Sequence, residues 1–374
     1  MISLLIFFVS TCQANSCLNT VTAWNTNVRS ISTEITRWME SMVGGDGGGG
    51  VECRLYHPIT GLYTNSPGSY QEKEYDLEER RLLTIGTFIN NIPQSFIWQS
   101  RSMRRLEGFL YGQADHKGKM TGNKVTFIYP DLLTGLRGSF VNGVLQSARA
   151  VDIVGERCTG GMKELKLRAS TTNSDIVWNK VVTNDTFVGQ HPRIMDPHER
   201  KSVYVGASLI DGAGEGLFAR RIFSPGDLVS YYSGHKTYLS KIIDKQRMTH
   251  QQIVDAASYL YWIGQQAPTW WDYSRDLLLN IGDKYRATNN YRTTLAHKAN
   301  HDFSDTNVVW DIIDHPVVGG IACLVAAKEI DEDDEIYVDY NYDVEDVVPE
   351  WYTDAFNTIV MESSLREKYP EYWK

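Results

Sequence analysis

The sequence predicts a mainly β protein, with an N-terminal antiparallel β-sheet followed by a second β domain and a helical C-terminal segment. Two patterns support this prediction. Between Cys53 and Val151, short aromatic and β-branched runs are punctuated by glycines, which is typical of successive β-hairpins. Near the end of the chain, Ile336, Val338 and Tyr340 recur with the period of two that marks one face of a strand. A chain of 374 residues is long enough for two domains with tails.

The bulk composition indicates a globular protein whose partners are not nucleic acids. Hydrophobic residues make up 42% of the chain and charged residues 22%, which are ordinary values for folded domains. The formal net charge of −9 disfavours non-specific binding to nucleic acid and favours basic peptides as partners. The cysteines form no Cys-x-x-Cys pair, so their spacing predicts buried free thiols and no metal site: Cys12, Cys17, Cys53, Cys158 and Cys323.

The first 52 residues show no chemistry that we can identify. Residues 1–19 form an apolar, signal-like segment whose hydrophobic run is too short to span a bilayer. A signal peptide, a short apolar extension and a wrongly assigned start codon are all open explanations of it. Residues 20–52 are predicted to form an amphipathic helix and then a flexible linker, because only Asp46 interrupts the glycines from Gly44 to Gly50.

Residues 53–200 are predicted to form the N-terminal β domain. Its clearest unit is the Gly-x-Phe-x-x-Gly stretch from Gly138 to Gly143, a hairpin pattern that resembles a MORN repeat. Repeats of this type stack into an elongated antiparallel sheet. A generic antiparallel sheet without repeats is the alternative, because the pattern is degenerate before residue 105.

Three separated stretches contain the candidate functional residues. Residues 213–218 (Ala-Gly-Glu-Gly-Leu-Phe) have glycines that let the backbone approach a ligand and present successive N–H groups to a carboxylate. Residues 296–302 (Ala-His-Lys-Ala-Asn-His-Asp) contain an Asn-His pair, and residues 335–342 end in two tyrosines after an acidic run. Taken alone, each stretch is better explained by a tight turn or by ordinary packing than by a functional site.

In this order and spacing, the three stretches resemble the SET-domain protein lysine methyltransferases. The best resemblance is to the type that carries N-terminal MORN repeats and methylates histone H3 at lysine 4. It implies a SET-domain β-fold with a pseudoknot over residues 201–342, and a C-terminal helical segment, 343–374, that closes the site. It also implies S-adenosylmethionine as the cofactor, and methyl transfer to a lysine amine that has lost its proton in a dry channel.

The resemblance assigns roles to individual positions of this chain. The implied catalytic residues are Tyr232, Tyr340 and Tyr342. The implied substrate channel includes Trp310. The implied cofactor-binding residues are Ala213, Glu215, Gly216, Lys298, Asn300, His301 and Trp351. The variable insert from His235 to Tyr291 is expected to form one wall of the peptide groove, with a helix near residues 248–255 and several tryptophans.

The chain departs from the family pattern at three positions. Asp302 stands where the family usually has serine, and Ala355 stands where the MORN-bearing type has an acidic residue. Trp310 occupies the place of a tyrosine, and its bulk is expected to keep the channel tight, so that it favours monomethylation or blocks the channel.

The partners implied are the histone H3 tail or other basic lysine-containing peptides, with no direct nucleic-acid contact, no membrane and a monomeric chain. The implied location is the nucleus, at the chromosome, and the cytoplasm. Two other classes stay open. One is a catalytically weak SET-fold protein that binds peptides, which the changes at Asp302 and Trp310 favour. The other is a secreted MORN scaffold, which only the apolar N-terminus favours.

Overall fold

The computed structural model describes two groups of residues, each treated as a separate unit. The N-terminal unit comprises described residues between 52 and 181 together with 313–320, and the C-terminal unit comprises those between 191 and 312 together with 321–340. The described ranges are 52–57, 62–65, 82–86, 88–89, 92–93, 96–101, 105–115, 118–159, 162–172, 174–181, 191–238, 260–265, 276–302 and 305–340, with the single residues 249 and 252.

Several predicted features lie outside these described residues. They are the signal-like segment, the helix and linker before residue 52, most of the helix predicted near residues 248–255, Tyr342, Trp351 and the C-terminal segment 343–374. Within the described residues, no helix is long and apolar enough to cross a membrane.

The N-terminal unit is built almost entirely of β-strands. Its strands are β1 (Glu52–His57), β2 (Leu62–Asn65), β3 (Leu82–Gly86), β4 (Phe88–Ile89), β5 (Ile92–Pro93), β6 (Ile97–Ser100), β7 (Phe109–Gly112), β8 (Gly122–Ile128), β9 (Thr134–Val141), β10 (Val144–Thr159), β11 (Met162–Ala169) and β12 (Val177–Asn179). Ten of them form one sheet in the order β11-β10-β9-β8-β7-β6-β3-β1-β2, with β12 on β10, and β4 pairs with β5. Neighbouring strands of this sheet pair in antiparallel fashion, which confirms the predicted antiparallel sheet.

One turn shows how the sequence dictates this meander. Val141 and Val144 are paired across the β9–β10 hairpin, so that Asn142 and Gly143 form a two-residue connection. Both have positive φ, 51° for Asn142 and 77° for Gly143. An Asn-Gly pair is the preferred sequence for such a turn, because its backbone twist matches that of the strands. The core beneath is aromatic, with fully buried Trp98, Phe109, Phe127, Tyr129 and Phe140.

The described residues of the C-terminal unit include two short 3-10 helices, Asp283–Tyr285 and Ala296–Lys298, together with one short α-helix and ten strands. The α-helix and the strands follow in chain order. They are α1 (Pro197–Ser202), β13 (Val203–Ala207), β14 (Glu215–Ala219), β15 (Leu228–Tyr232), β16 (His235–Tyr238), β17 (Leu260–Gln265), β18 (Asp276–Asn280), β19 (Asn300–His301), β20 (Val308–His315), β21 (Gly319–Ala326) and β22 (Tyr337–Val338). Residues 313–320, at the tip of the β20–β21 hairpin, group with the N-terminal unit.

Three small sheets make up this unit, in the orders β13-β14, β16-β18-β17 and β15-β21-β20-β22-β19. In the last sheet, β22 pairs in parallel with both β19 and β20, although β21 lies between it and these two strands in sequence. The Asn-His pair of β19 is thereby placed directly beside the strand that leads to Tyr340.

Two local predictions were wrong. The strand predicted through residues 336–340 is limited to Tyr337–Val338, because side chains take the place of strand partners on both sides of it. The Tyr340 N–H bonds to His301 Nδ1 after the strand, and Asn307 acts at its start. The Asn307 amide bonds to the Glu335 carbonyl at 2.8 Å and to the Tyr337 N–H at 2.9 Å. The apolar pair Leu209-Ile210 predicts a short strand, but these residues form a bend, because their N–H groups bond to the side chains of Glu335 and Ser208.

Candidate active site

The Asn300 side chain joins the glycine-containing loop to the rest of the site. Its amide nitrogen lies 3.0 Å from Ser208 Oγ, 3.1 Å from the Glu215 carbonyl oxygen and 3.1 Å from Glu335 Oε1. These contacts use the amide donors of Asn300 within the protein. A ligand beside Asn300 would therefore have to use the side-chain oxygen or the backbone.

A charged pair lies at the same edge of the loop. Lys298 Nζ is 2.7 Å from Glu215 Oε2, and Thr288 donates a hydrogen bond of 3.2 Å to the other oxygen of Glu215. The hydrogen bond from Lys298 lowers the pKa of Glu215, so this carboxylate is ionised at neutral pH. Lys298, just before β19, and Glu215, at the start of β14, thus place one cationic and one anionic group side by side.

Gly216 makes room for the close approach of Glu335. A Cβ at position 216 would overlap the Glu335 carboxylate and would lie 3.2 Å from the Cα of Ser208. Glu335 is only 3% exposed and is held by hydrogen bonds, so it has no open space into which it could withdraw. The absence of a side chain at this position therefore serves packing inside the protein.

We expect Gly216→Ala to destabilise the protein by about 1–3 kcal/mol, the usual cost of forcing extra atoms into a well-packed site. The free energy of unfolding in urea measures the effect. Gly320→Ala is the matched control, because no atom lies within 4 Å of a Cβ built at that position. Equal stabilities of the two variants would contradict this interpretation.

Tyr340 is held by two contacts with the Asn-His segment. Its hydroxyl donates a 2.9 Å hydrogen bond to the Ala299 carbonyl, and its N–H donates one of 3.1 Å to His301 Nδ1. Burial lowers the pKa of His301 despite the neighbouring Asp339 carboxylate. The imidazole is therefore neutral at pH 7, with Nδ1 accepting from Tyr340 and the proton on Nε2.

Three rings from three different strands form an aromatic cluster: Tyr232 of β15, Tyr261 of β17 and Trp310 of β20. Trp310 meets Tyr232 edge-on, with ring centroids 5.6 Å apart, and lies 4.5 Å from the ring of Tyr261. The indole N–H donates a 3.1 Å hydrogen bond to the carbonyl of Asp339, the residue before Tyr340. Burial raises the pKa of Tyr261, which stays protonated. In this cluster Tyr232 is buried and the other two rings are half-buried, next to the backbone of Tyr340.

Strand β15, which carries Tyr232, is anchored by the fully buried Glu199 of α1. This carboxylate accepts hydrogen bonds from the Ser230 hydroxyl at 2.8 and 3.0 Å and from the Tyr231 N–H at 2.5 Å. Burial raises the pKa of Glu199 despite these donors. The backbone just before Tyr232 is thereby fixed.

The predicted site residues within the described chain lie in one continuous set of contacts. Glu215, Gly216, Lys298 and Asn300 surround the loop, His301 contacts Tyr340, and Trp310 connects Tyr232 to the backbone beside Tyr340. Ala213 lies on the same loop, and its N–H bonds to the Ile210 carbonyl. The predicted residues Tyr342 and Trp351 lie outside the described residues.

Two residues of the site were not predicted. Tyr261 falls in the insert with the weakest motif content, and only its aromatic character hinted at a role. Glu335 ends an acidic run of the kind that predicts a solvated turn. Its neighbours Asp331 to Asp334 are exposed as expected, whereas Glu335 is buried.

Comparison with known sequences assigns both regions of the chain. Residues 91–157 match the family described as the N-terminal region of the histone H3 K4-specific methyltransferase SET7, and residues 214–341 match the SET domain. The histone-lysine N-methyltransferase SETD7 of Halocynthia roretzi is 28% identical over 255 residues. The match covers 66% of this chain and spans about 60% of the length of that relative.

Two solved structures show weaker likeness. A candidate histone methyltransferase of Plasmodium falciparum has a TM-score of 0.24 and 17% identity, covering 39% of this chain and 98% of that one. The ctPRC2 structure, in an autoinhibited conformation bound to S-adenosylmethionine, has a TM-score of 0.27 and 18% identity, covering 43% of this chain and 17% of that one. At such TM-scores neither likeness bears on activity. The two sequence matches show a SET domain at residues 214–341 and a region of the SET7 N-terminal type at residues 91–157.

Proposed function

We propose that this protein is an S-adenosylmethionine-dependent protein-lysine N-methyltransferase. The observation that carries the proposal is the convergence, inside the matched SET domain, of the loop before β14, the Asn300-His301 segment and Tyr340. These are the three stretches whose order in the sequence resembles the methyltransferases. The similarity to a relative named as a histone-lysine N-methyltransferase supports the same reaction.

The residues present fit S-adenosylmethionine in two respects. The amino-acid end of that molecule carries an ammonium and a carboxylate, and Glu215 and Lys298 offer charges of the opposite signs at one place. Its sulfonium methyl group has polarised C–H bonds, which favour oxygen acceptors. The Ala299 carbonyl and the Tyr340 hydroxyl supply such oxygens 2.9 Å apart.

When bound, S-adenosylmethionine would supply a methyl group on a positively charged sulfur, which leaves as a neutral thioether. The residues of this chain then have to prepare and orient the amine. With substrate bound, the aromatic cluster would shield the amine from water, and desolvation lowers the pKa of a lysine ammonium that enters beside it. The Tyr340 hydroxyl, fixed on Ala299, orients the reacting groups, and such alignment contributes much of the rate.

Basic peptides that contain lysine are the proposed substrates, with the histone H3 tail, at lysine 4, as the first candidate. The net charge of −9 favours such partners, and the relative's name points to histones. The test is label transfer from S-adenosylmethionine to an array of H3 tail peptides, each with one lysine replaced by arginine. Loss of signal at a single position identifies the target. An array that shows no lysine-dependent signal would contradict the histone substrate.

The close packing of the aromatic cluster supports monomethylation as the product. Tyr261→Ala would open space beside Trp310, and we expect the ratio of dimethyl to monomethyl product to rise by about 10-fold or more, as the exclusion of one methyl group is worth that much. Mass spectrometry of the peptide product measures the ratio. Efficient trimethylation by the wild type would contradict the proposal.

The second candidate function is a SET-fold protein that binds cofactor or peptide without turnover. The observation that favours it is the 4.5 Å separation of Trp310 and Tyr261, which leaves little room between their rings. Cofactor binding without methyl transfer to any lysine peptide would indicate this candidate. A gain of transfer in Tyr261→Ala would then identify the cluster as the block.

The proposal also covers the domain limits, the type of repeat and the location of the protein in the cell. We place a MORN-type β domain at 53–200, the SET domain at 201–342 and a closing helical segment at 343–374. The meander of hairpins supports the first of these. A histone substrate requires a nuclear and chromosomal location, with a cytoplasmic pool for other targets. Fluorescent fusions of the full chain, imaged in cells, test this location, and secretion would contradict it.

A further inference from the structure

The Glu335 carboxylate lies where three separate segments of the site meet. Its Oε1 atom accepts hydrogen bonds from Ser208 Oγ at 2.7 Å and Asn300 Nδ2 at 3.1 Å. Its Oε2 atom accepts from the Leu209 N–H at 2.6 Å and from the Tyr337 hydroxyl at 2.9 Å. All four partners are donors, and the residue is 3% exposed.

These contacts join the loop between β13 and β14 to β19 and β22, two strands that already pair with each other in one sheet. Ser208 and Leu209 begin the loop that ends at β14, Asn300 belongs to β19, and Tyr337 belongs to β22. Ser208 also accepts a hydrogen bond from Asn300 and one of 3.1 Å from the Ile210 N–H, so the loop is bonded at three successive residues. The carboxylate therefore fixes the position of the loop relative to Asn300.

The network is built for a carboxylate and not for its amide analogue. Each oxygen of Glu335 faces one donor that cannot become an acceptor: the Asn300 amide nitrogen at Oε1 and the Leu209 N–H at Oε2. A glutamine has one oxygen and one NH2 group. Whichever way it is oriented, its NH2 group would face one of these donors.

We propose that Glu335 is a positioning residue for the cofactor: it fixes the loop 208–216 against Asn300 in the arrangement that binds S-adenosylmethionine. The inference rests on the proposed function for the identity of the ligand. It predicts that substitution of Glu335 weakens the binding of the cofactor. The affinity for the peptide and the turnover of the enzyme at saturating cofactor should change little.

The test is Glu335→Gln in the full chain. We expect the Kd for S-adenosylmethionine, measured by calorimetry, to rise about 10- to 100-fold, which corresponds to one buried donor left without its acceptor. The KM for the cofactor should rise in parallel, while kcat at saturating cofactor and the KM for the peptide stay near wild type. Glu332→Gln, on the exposed part of the same acidic run, is the matched control and should bind as wild type does.

A purely structural role gives a different result. It would lower the melting temperature and reduce kcat by shrinking the folded fraction, with Kd unchanged for the protein that remains folded, and this outcome would overturn the proposal. If Glu335→Gln does not fold, Ser208→Ala is the test instead, because it removes one of the four donors to the Glu335 carboxylate and leaves three. An unchanged Kd in Ser208→Ala would then overturn the inference.

Binding and transfer separate this inference from the proposed function. A wild type that binds S-adenosylmethionine but transfers no methyl group contradicts the proposed reaction, and the Kd comparison still tests Glu335. A wild type that does not bind S-adenosylmethionine at all overturns both.

Discussion

Tyr340→Phe is expected to lower kcat for methyl transfer by roughly 100-fold, within the range seen when one preorganised polar group is removed from an active site. The variant loses the hydroxyl that donates to the Ala299 carbonyl, but it keeps the ring beside His301 and the backbone bond to His301 Nδ1. We therefore expect folding and cofactor affinity to stay near wild type. Label transfer under saturating conditions measures the loss.

Tyr204→Phe is the control for removing a tyrosine hydroxyl elsewhere in the same unit. The Tyr204 hydroxyl donates a 2.8 Å hydrogen bond to the exposed Asp333, outside the candidate site. We expect its kcat to equal that of the wild type. Equal activities of Tyr340→Phe and Tyr204→Phe would remove Tyr340 from the reaction.

The second large effect is expected for Asn300→Ala. Its amide contacts Ser208, the Glu215 carbonyl and Glu335, so its loss removes all three of these hydrogen bonds and loosens the loop. We expect the affinity for S-adenosylmethionine to fall roughly 100-fold, because networks of this kind lose more than one isolated bond. Calorimetric titration measures the change.

Asn290→Ala controls for the loss of an asparagine amide. The Asn290 amide donates a 2.9 Å hydrogen bond to the Lys284 carbonyl on an exposed turn. We expect this variant to bind the cofactor as the wild type does. A wild-type Kd in Asn300→Ala would show that the loop keeps its position without the amide, and would contradict the account of the site.

Short sequence patterns were enough to predict the parts of the fold whose conformation depends only on neighbouring residues. The Asn142-Gly143 turn is an example, because the backbone angles of a two-residue hairpin are decided by those residues alone. The proximity of Asn300 and Tyr340 could be predicted only through resemblance to a family. Neither periodicity nor propensity indicates that β19 and β22 pair in parallel.

Glu335 shows why the rest of the site could not be predicted. In sequence it ends a run of acidic residues, and charged runs are usually solvated. Its burial depends on donors such as Ser208, which is 127 positions away along the chain. Tyr261 is similar, since its role depends on contact with Trp310 on a strand of another sheet. A charged group can be buried only where hydrogen-bonding or ionic partners surround it, and only the folded structure shows which residues these partners are.

The measurement that tests the central claim most directly is methyl transfer from labelled S-adenosylmethionine to an H3 tail peptide that contains one lysine. An otherwise identical peptide with arginine in its place is the comparison. The account predicts label on the lysine peptide alone, in the form of one methyl group. Absence of label on this and on other basic lysine peptides, with the cofactor bound, would contradict a lysine methyltransferase.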